Sequence, residues 1–200
     1  MKIKICGLCR EEDVIYTNGV RPHYAGFVFA KSRRQVSVEQ AEAFRKLLDP
    51  EIEAVGVFVN ENAEKIAEIC NKGITQIIQL HGDETEEYIQ DLRQRTDAKI
   101  IKAVRVRDME DIRNAEKLSV DFLLLDTYRK DVYGGTGKSF DWSILGDIGK
   151  PFFLAGGISM ENIDKAMETK AYCLDVSSGV ETDGRKDREK MEEIVRRVRL

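Results

Sequence analysis

The chain has 200 residues, of which 42% are hydrophobic and 34% charged, and a net charge of -4 at pH 7. That balance suits a folded chain with a substantial core and excludes a disordered one. No basic block stands free of acids, since Arg185 to Arg199 is interrupted by Asp187, Glu189, Glu192 and Glu193, and no apolar stretch approaches membrane-span length; both facts argue against nucleic-acid or membrane partners.

Continuous apolar runs predict eight strands, beginning near Lys2, Tyr24, Glu53, Thr75, Lys99, Asp121, Phe152 and Cys173, each followed by a helical pattern. Runs such as Phe152-Phe153-Leu154-Ala155 do not alternate with polar residues, as expected of parallel strands buried on both faces. Between them, Ser37 with Gln40 forms a capping box ahead of Ala41, Phe44 and Leu48. Ile66, Ile69 and Cys70 share a helical face that ends at Gly73, and Met191, Ile194, Val195 and Val198 recur at helical spacing. Alternating strands and helices imply right-handed crossovers and a parallel sheet. A count of eight favours closure into an α/β fold of the (β/α)8 TIM-barrel type, one catalytic domain over residues 1–200, rather than an open doubly wound sheet. No linker, low-complexity tract or internal repeat is visible.

In such a barrel the active site lies at the C-terminal ends of the strands. The polar residues there are Cys6 after the first strand, Ser32-Arg33-Arg34 after the second and His81 after the fourth. Asp126 closes the sixth, Gly156-Gly157 the seventh, and Asp175 with Ser177-Ser178-Gly179 the eighth. Gly134-Gly135-Thr136-Gly137 follows Asp126 closely. It is neither a Walker A loop, because position 132 is Val132, nor a dinucleotide fingerprint, because position 140 is Phe140. Three small-residue loops on one rim, Gly135 to Gly137, Gly156-Gly157 and Ser177 to Gly179, read as a phosphate cradle of backbone N–H groups. A thiol, a carboxyl and an anion cradle together imply proton transfer on a phosphorylated small molecule.

The rival readings are weaker. Cys6 and Cys9 have the spacing of a redox pair, but the barrel would then be unexplained. Zinc would need two more ligands, and Cys70 and Cys173 read as core. Trp142 and Phe140 read as anchors of the sixth helix. His81 and Arg34 read as substrate contacts as readily as a strand cap and a solvated arginine. Four cysteines in a chain this long suit free thiols, and the start of the chain shows no signal-peptide pattern, so a cytoplasmic location is expected.

Lys4-Ile5-Cys6-Gly7-Leu8, Gly26-Phe27-Val28-Phe29, Gly56-Val57-Phe58-Val59-Asn60, Gln79-Leu80-His81-Gly82 and Leu124-Leu125-Asp126 occur in that order. They are followed by Gly134 to Gly137 with Phe140-Asp141-Trp142, then Leu154-Ala155-Gly156-Gly157 and Asp175-Val176-Ser177-Ser178-Gly179-Val180-Glu181. Together they resemble the phosphoribosylanthranilate isomerases of tryptophan biosynthesis over nearly the whole chain. The resemblance implies a cofactor-free, metal-free barrel that converts N-(5'-phosphoribosyl)anthranilate into 1-(2-carboxyphenylamino)-1-deoxyribulose 5-phosphate. It makes Cys6 the general base and Asp126 the general acid. Arg34, His81 and Asp175 are then substrate contacts, and Gly135, Thr136, Gly137, Gly156, Gly157, Ser177, Ser178 and Gly179 phosphate contacts. The family's Pro before the arginine is Arg33 here. Ser159-Met160 stands where Asn-Pro is common, and Asp183-Gly184 where Pro-Gly is usual. The sister isomerase of the histidine pathway normally carries a carboxylate in place of Cys6, and a non-catalytic phosphosugar-binding barrel is a third alternative. A monomer is the default, with a homodimer left open. A thiol with a reference pKa of about 8.5 needs a nearby cation or helix N-terminus to act as a base.

Overall fold

Strand β1 (Lys2–Cys6) shows how the sequence builds the architecture. Ile3 and Ile5 pack outward with helix residues such as Val14 and Val195, whereas Lys4 and Cys6, at the alternate positions, face inward. The computed structural model describes residues 1–127, 142 and 145–199. The remaining barrel strands are β2 (Tyr24–Val28), β3 (Glu53–Phe58), β4 (Ile77–Leu80), β5 (Lys99–Val106), β6 (Phe122–Thr127), β7 (Phe152–Leu154) and β8 (Cys173–Val176). All pair in parallel in sequence order, and β8 returns to β1 with Val176 beside Ile5, closing the barrel. The TIM-barrel expectation is met.

Helices α1 (Glu11–Val20), α2 (Val38–Leu47), α3 (Ala63–Asn71), α4 (Glu86–Arg93) and α5 (Met109–Ala115) follow the first five strands, α6 (Ile163–Glu168) follows β7, and α7 (Arg188–Arg199) follows β8. Ser37 and Gln40 form the predicted reciprocal capping box at the start of α2. Gly73 ends the turn after α3 at φ +73°, a left-handed conformation that glycine adopts without a side-chain clash. Met191, Ile194, Val195 and Val198 of α7 are all buried. Each fully buried aliphatic side chain in this outer layer contributes about 1.5–3 kcal/mol, so the helices are held by their apolar faces. The segment after β6, with Phe140 and the loop of Gly135, Thr136 and Gly137, lies outside the described residues; Trp142 is buried in the core. Among the described residues no helix is long and apolar enough to cross a membrane.

Inside the ring, Tyr24, Phe122, Phe153 and Tyr172 fill the N-terminal end. Phe122 stacks on Tyr172 at 5.1 Å and meets Phe153 edge-on at 5.5 Å. Val55, Ile77, Ile101 and Leu124 continue the packing. On β4, β6 and β8 a polar side chain faces the interior two residues further along, so the chemistry collects at the C-terminal mouth.

Candidate active site

Period-two alternation decides which side chains reach that mouth. Gln79 follows Ile77, Asp126 follows Leu124 and Asp175 follows Cys173, each on the inward face of its strand. A cavity of about 640 Å³ opens there, and Cys6, His81, Asp126 and Asp175 all line it. Arg33, Arg34, Gly156, Gly157, Ser177 and Ser178 form its rim. Every sequence-predicted site residue within the described part of the chain, except Gly179, therefore borders one space. Gly135, Thr136 and Gly137 are outside the described residues.

Cys6 is buried against Gly26, its register partner on β2. Cys9 is half-buried, and both cysteines are free thiols. Burial pushes the Cys6 thiol above its ordinary pKa, while Lys4 and Lys186 pull it down and Asp175 pushes it further up. Lys4 is fully buried; its Nζ donates to Asp175 Oδ2 and to Gln79 Oε1, both at 2.8 Å. Burial works against that ammonium, yet Asp175 and Cys6 hold its pKa above the ordinary value. The cation that the thiol requires is thus two residues upstream on the same strand. Asp175 keeps its second oxygen, Oδ1, buried and without a hydrogen bond among the described residues.

Gln79 also sets the state of His81. With Oε1 occupied by Lys4, its Nε2 is the atom 2.8 Å from His81 Nδ1. An amide nitrogen only donates, so Nδ1 accepts and the neutral ring carries its proton on Nε2. That nitrogen stands 3.3 Å from Asp126 Oδ2, without an aligned hydrogen bond among the described residues. It is a buried donor at the edge of the cavity.

Arg34 lies across Gly7, and a β-carbon on Gly7 would collide with its Cδ. Its Nε and a terminal nitrogen donate to the two oxygens of Glu181, at 2.7 and 2.9 Å. Arg33 and Lys186 also reach Glu181, at 2.7 and 2.8 Å. Burial opposes the Glu181 charge, but the Arg34 hydrogen bonds and Lys186 hold its pKa down at about 2. The side chain of Arg33 is 57% exposed and that of Arg34 11%, so Arg34 is the arginine fixed in the wall. Glu181 opens a short hairpin of β9 (Glu181–Thr182) and β10 (Arg185–Lys186). Lys186 Nζ also donates to Ser177 O at 3.0 Å, and Ser177 Oγ donates to Cys6 O at 3.0 Å, tying the β8 loop to the end of β1.

The two described small-residue loops meet directly. Gly156 and Gly157 have φ values of +86° and +71°, and a β-carbon on Gly179 would overlap the carbonyl oxygen of Ile158. Gly179 is thus what lets the β8 loop lie against the β7 loop. Lys4, Gln79, Glu181 and Lys186 were not among the residues predicted from sequence. The one available signal was a polar residue on the inward face of a buried strand, Lys4 on β1 and Gln79 on β4.

The family model for "N-(5'phosphoribosyl)anthranilate (PRA) isomerase" matches residues 3–197. An N-(5'-phosphoribosyl)anthranilate isomerase of Endomicrobium trichonymphae is 48% identical, over 99% of this chain and 98% of its own. A phosphoribosyl anthranilate isomerase structure from Thermus thermophilus superposes with a TM-score of 0.88 at 30% identity, covering 100% of this chain and 98% of its own. Another, solved in complex with reduced 1-(o-carboxyphenylamino)-1-deoxyribulose 5-phosphate, gives a TM-score of 0.82 at 31% identity, with the same coverage. From the first strand to the last helix, the chain belongs to the N-(5'-phosphoribosyl)anthranilate isomerase family.

Proposed function

We propose that Cys6 is the general base and Asp126 the general acid in the conversion of N-(5'-phosphoribosyl)anthranilate into 1-(2-carboxyphenylamino)-1-deoxyribulose 5-phosphate. The observation that carries this reading is that the Cys6 thiol and the Asp126 carboxyl, from well-separated strands, face one cavity rimmed by glycine and serine loops. Asp126 gives a proton to the furanose ring oxygen as the C1–O bond breaks and the nitrogen lone pair forms a C1=N iminium. The iminium withdraws electrons from C2, so Cys6 as thiolate can remove the C2 proton, leaving an enolamine. Tautomerisation then turns the C2 hydroxyl into the product ketone and returns a proton to C1. No net oxidation occurs.

In the same reading Arg34, His81 and Asp175 contact the substrate. His81 Nε2–H and Asp175 Oδ1, one donor and one acceptor without aligned partners, suit the sugar hydroxyls and the anthranilate carboxylate. Arg34, held by Glu181, suits the carboxylate. Backbone N–H groups of Gly156, Gly157, Ser177, Ser178 and Gly179 hold the phosphate, with Gly135, Thr136 and Gly137 as further donors. The closed ring of eight strands supports one catalytic domain over residues 1–200. Met1, Ile15 and Leu47 are the exposed large hydrophobics among the described residues, too few for an extended apolar interface, which supports a monomer. The direct test is loss of phosphoribosylanthranilate fluorescence on adding purified protein. Turnover by the wild type that Cys6→Ala and Asp126→Asn each lose supports the assignment, and turnover kept by either folded variant refutes it for that residue.

A further inference from the structure

The acid–base assignment leaves one fully buried charge without a task. Lys4 sits in the barrel interior just above an apolar layer of Val55, Ile77 and Ile101, where burying an ammonium is costly. Its Nζ bridges Asp175 on β8 and Gln79 on β4. Through Gln79 the connection continues to His81, whose Nε2 is 3.3 Å from Asp126 Oδ2. On its own strand, Lys4 shares the inward face with Cys6. One ammonium therefore touches both halves of the site.

We propose that Lys4 is a positioning residue for both proton-transfer groups: its charge favours the Cys6 thiolate, and its hold on Gln79 keeps His81 with Nε2–H toward Asp126. The proposal rests on the reading of Cys6 and Asp126 given above. The charged groups facing Cys6 are Lys4 on β1, Asp175 on β8, Lys186 on β10 and Arg34 across Gly7. Gly26 on β2 brings none. Lys4 and Lys186 stabilise the thiolate and Asp175 opposes it, so removing Lys4 leaves Asp175 unbalanced and moves the thiol's titration upward.

The test is the pH profile of iodoacetamide alkylation at Cys6, resolved from Cys9 by mass spectrometry, in the wild type and Lys4→Met. The midpoint should rise by at least about one pH unit in Lys4→Met, so that alkylation below the wild-type midpoint slows about tenfold. With it, kcat per folded enzyme should fall while KM changes little. An unmoved profile in folded Lys4→Met overturns the proposal whatever Cys6 does in catalysis, whereas turnover by Cys6→Ala decides separately whether Cys6 is the base. Should Lys4→Met not fold, the wild type decides through 15N spectra of His81. A proton on Nε2 supports the relay. A proton on Nδ1 means that Gln79 presents its oxygen to His81 and is not held by Lys4, and the proposal fails.

Discussion

Gly26 and Cys6 face each other across the β1–β2 register so closely that a β-carbon on Gly26 would stand 2.7 Å from the Cys6 sulfur. The thiol occupies the space that the missing side chain leaves. Gly26→Ala should therefore push Cys6 off its position, at a cost of about 1–3 kcal/mol in stability as an overpacked site. The larger effect should be on kcat, with a fall of at least about tenfold, because a misplaced catalytic group loses its near-attack geometry. Steady-state kinetics with a urea denaturation curve measures both; unchanged kcat would mean that the thiol's location is not critical.

Glu181 holds Arg34 and Lys186 together and titrates at about 2 in the fold, against an ordinary 4.5. A depressed folded-state pKa gives stability that is fully present above about pH 4.5 and lost as the pH falls toward 2. Glu181→Gln should remove that acid-labile part, so its stability falls less steeply between pH 5 and 3 than the wild type's. At pH 7 the variant should be weaker by about 3–5 kcal/mol, since buried cations lose their partner, and KM should rise as Arg34 loosens. Urea midpoints at stepped pH check the first two effects. Parallel pH dependence in both proteins would contradict the assignment.

If the loops after β7 and β8 hold a phosphate, a product analogue bearing one should bind far more tightly than its dephosphorylated form, because only an anion satisfies converging N–H donors. Gly179→Ala, which forces the β8 loop away from Ile158, should weaken the phosphorylated ligand at least about tenfold and leave the dephosphorylated one nearly unchanged. Calorimetry with both ligands and both proteins gives the comparison. Equal wild-type affinities would remove the phosphate site.

The strands are legible because parallel strands buried on both faces leave mostly apolar runs, and the mouth is legible because polar residues close those runs. Cys6, His81, Asp126 and Asp175 were found this way. Lys4 and Gln79 were hidden inside the same runs. Lys2-Ile3-Lys4-Ile5 reads as a strand without revealing that Lys4 finds its partners 75 and 171 residues away. Glu181 was part of a recognised motif, but its role depends on Arg34, 147 residues earlier. Spacing along the chain reports local structure; pairing across a closed barrel depends on shear and register, which no local pattern carries.

The central claim is that Cys6 and Asp126 transfer the protons, and the most direct measurement is phosphoribosylanthranilate turnover, followed by fluorescence, in Cys6→Ala and Asp126→Asn, with Cys9→Ser in excess reductant as the control. Cys6→Ala and Asp126→Asn should each lose at least about 10²-fold in kcat with unchanged circular dichroism, while Cys9→Ser stays near the wild type. Near wild-type turnover in either Cys6→Ala or Asp126→Asn, with the fold intact, would contradict the assignment for that residue.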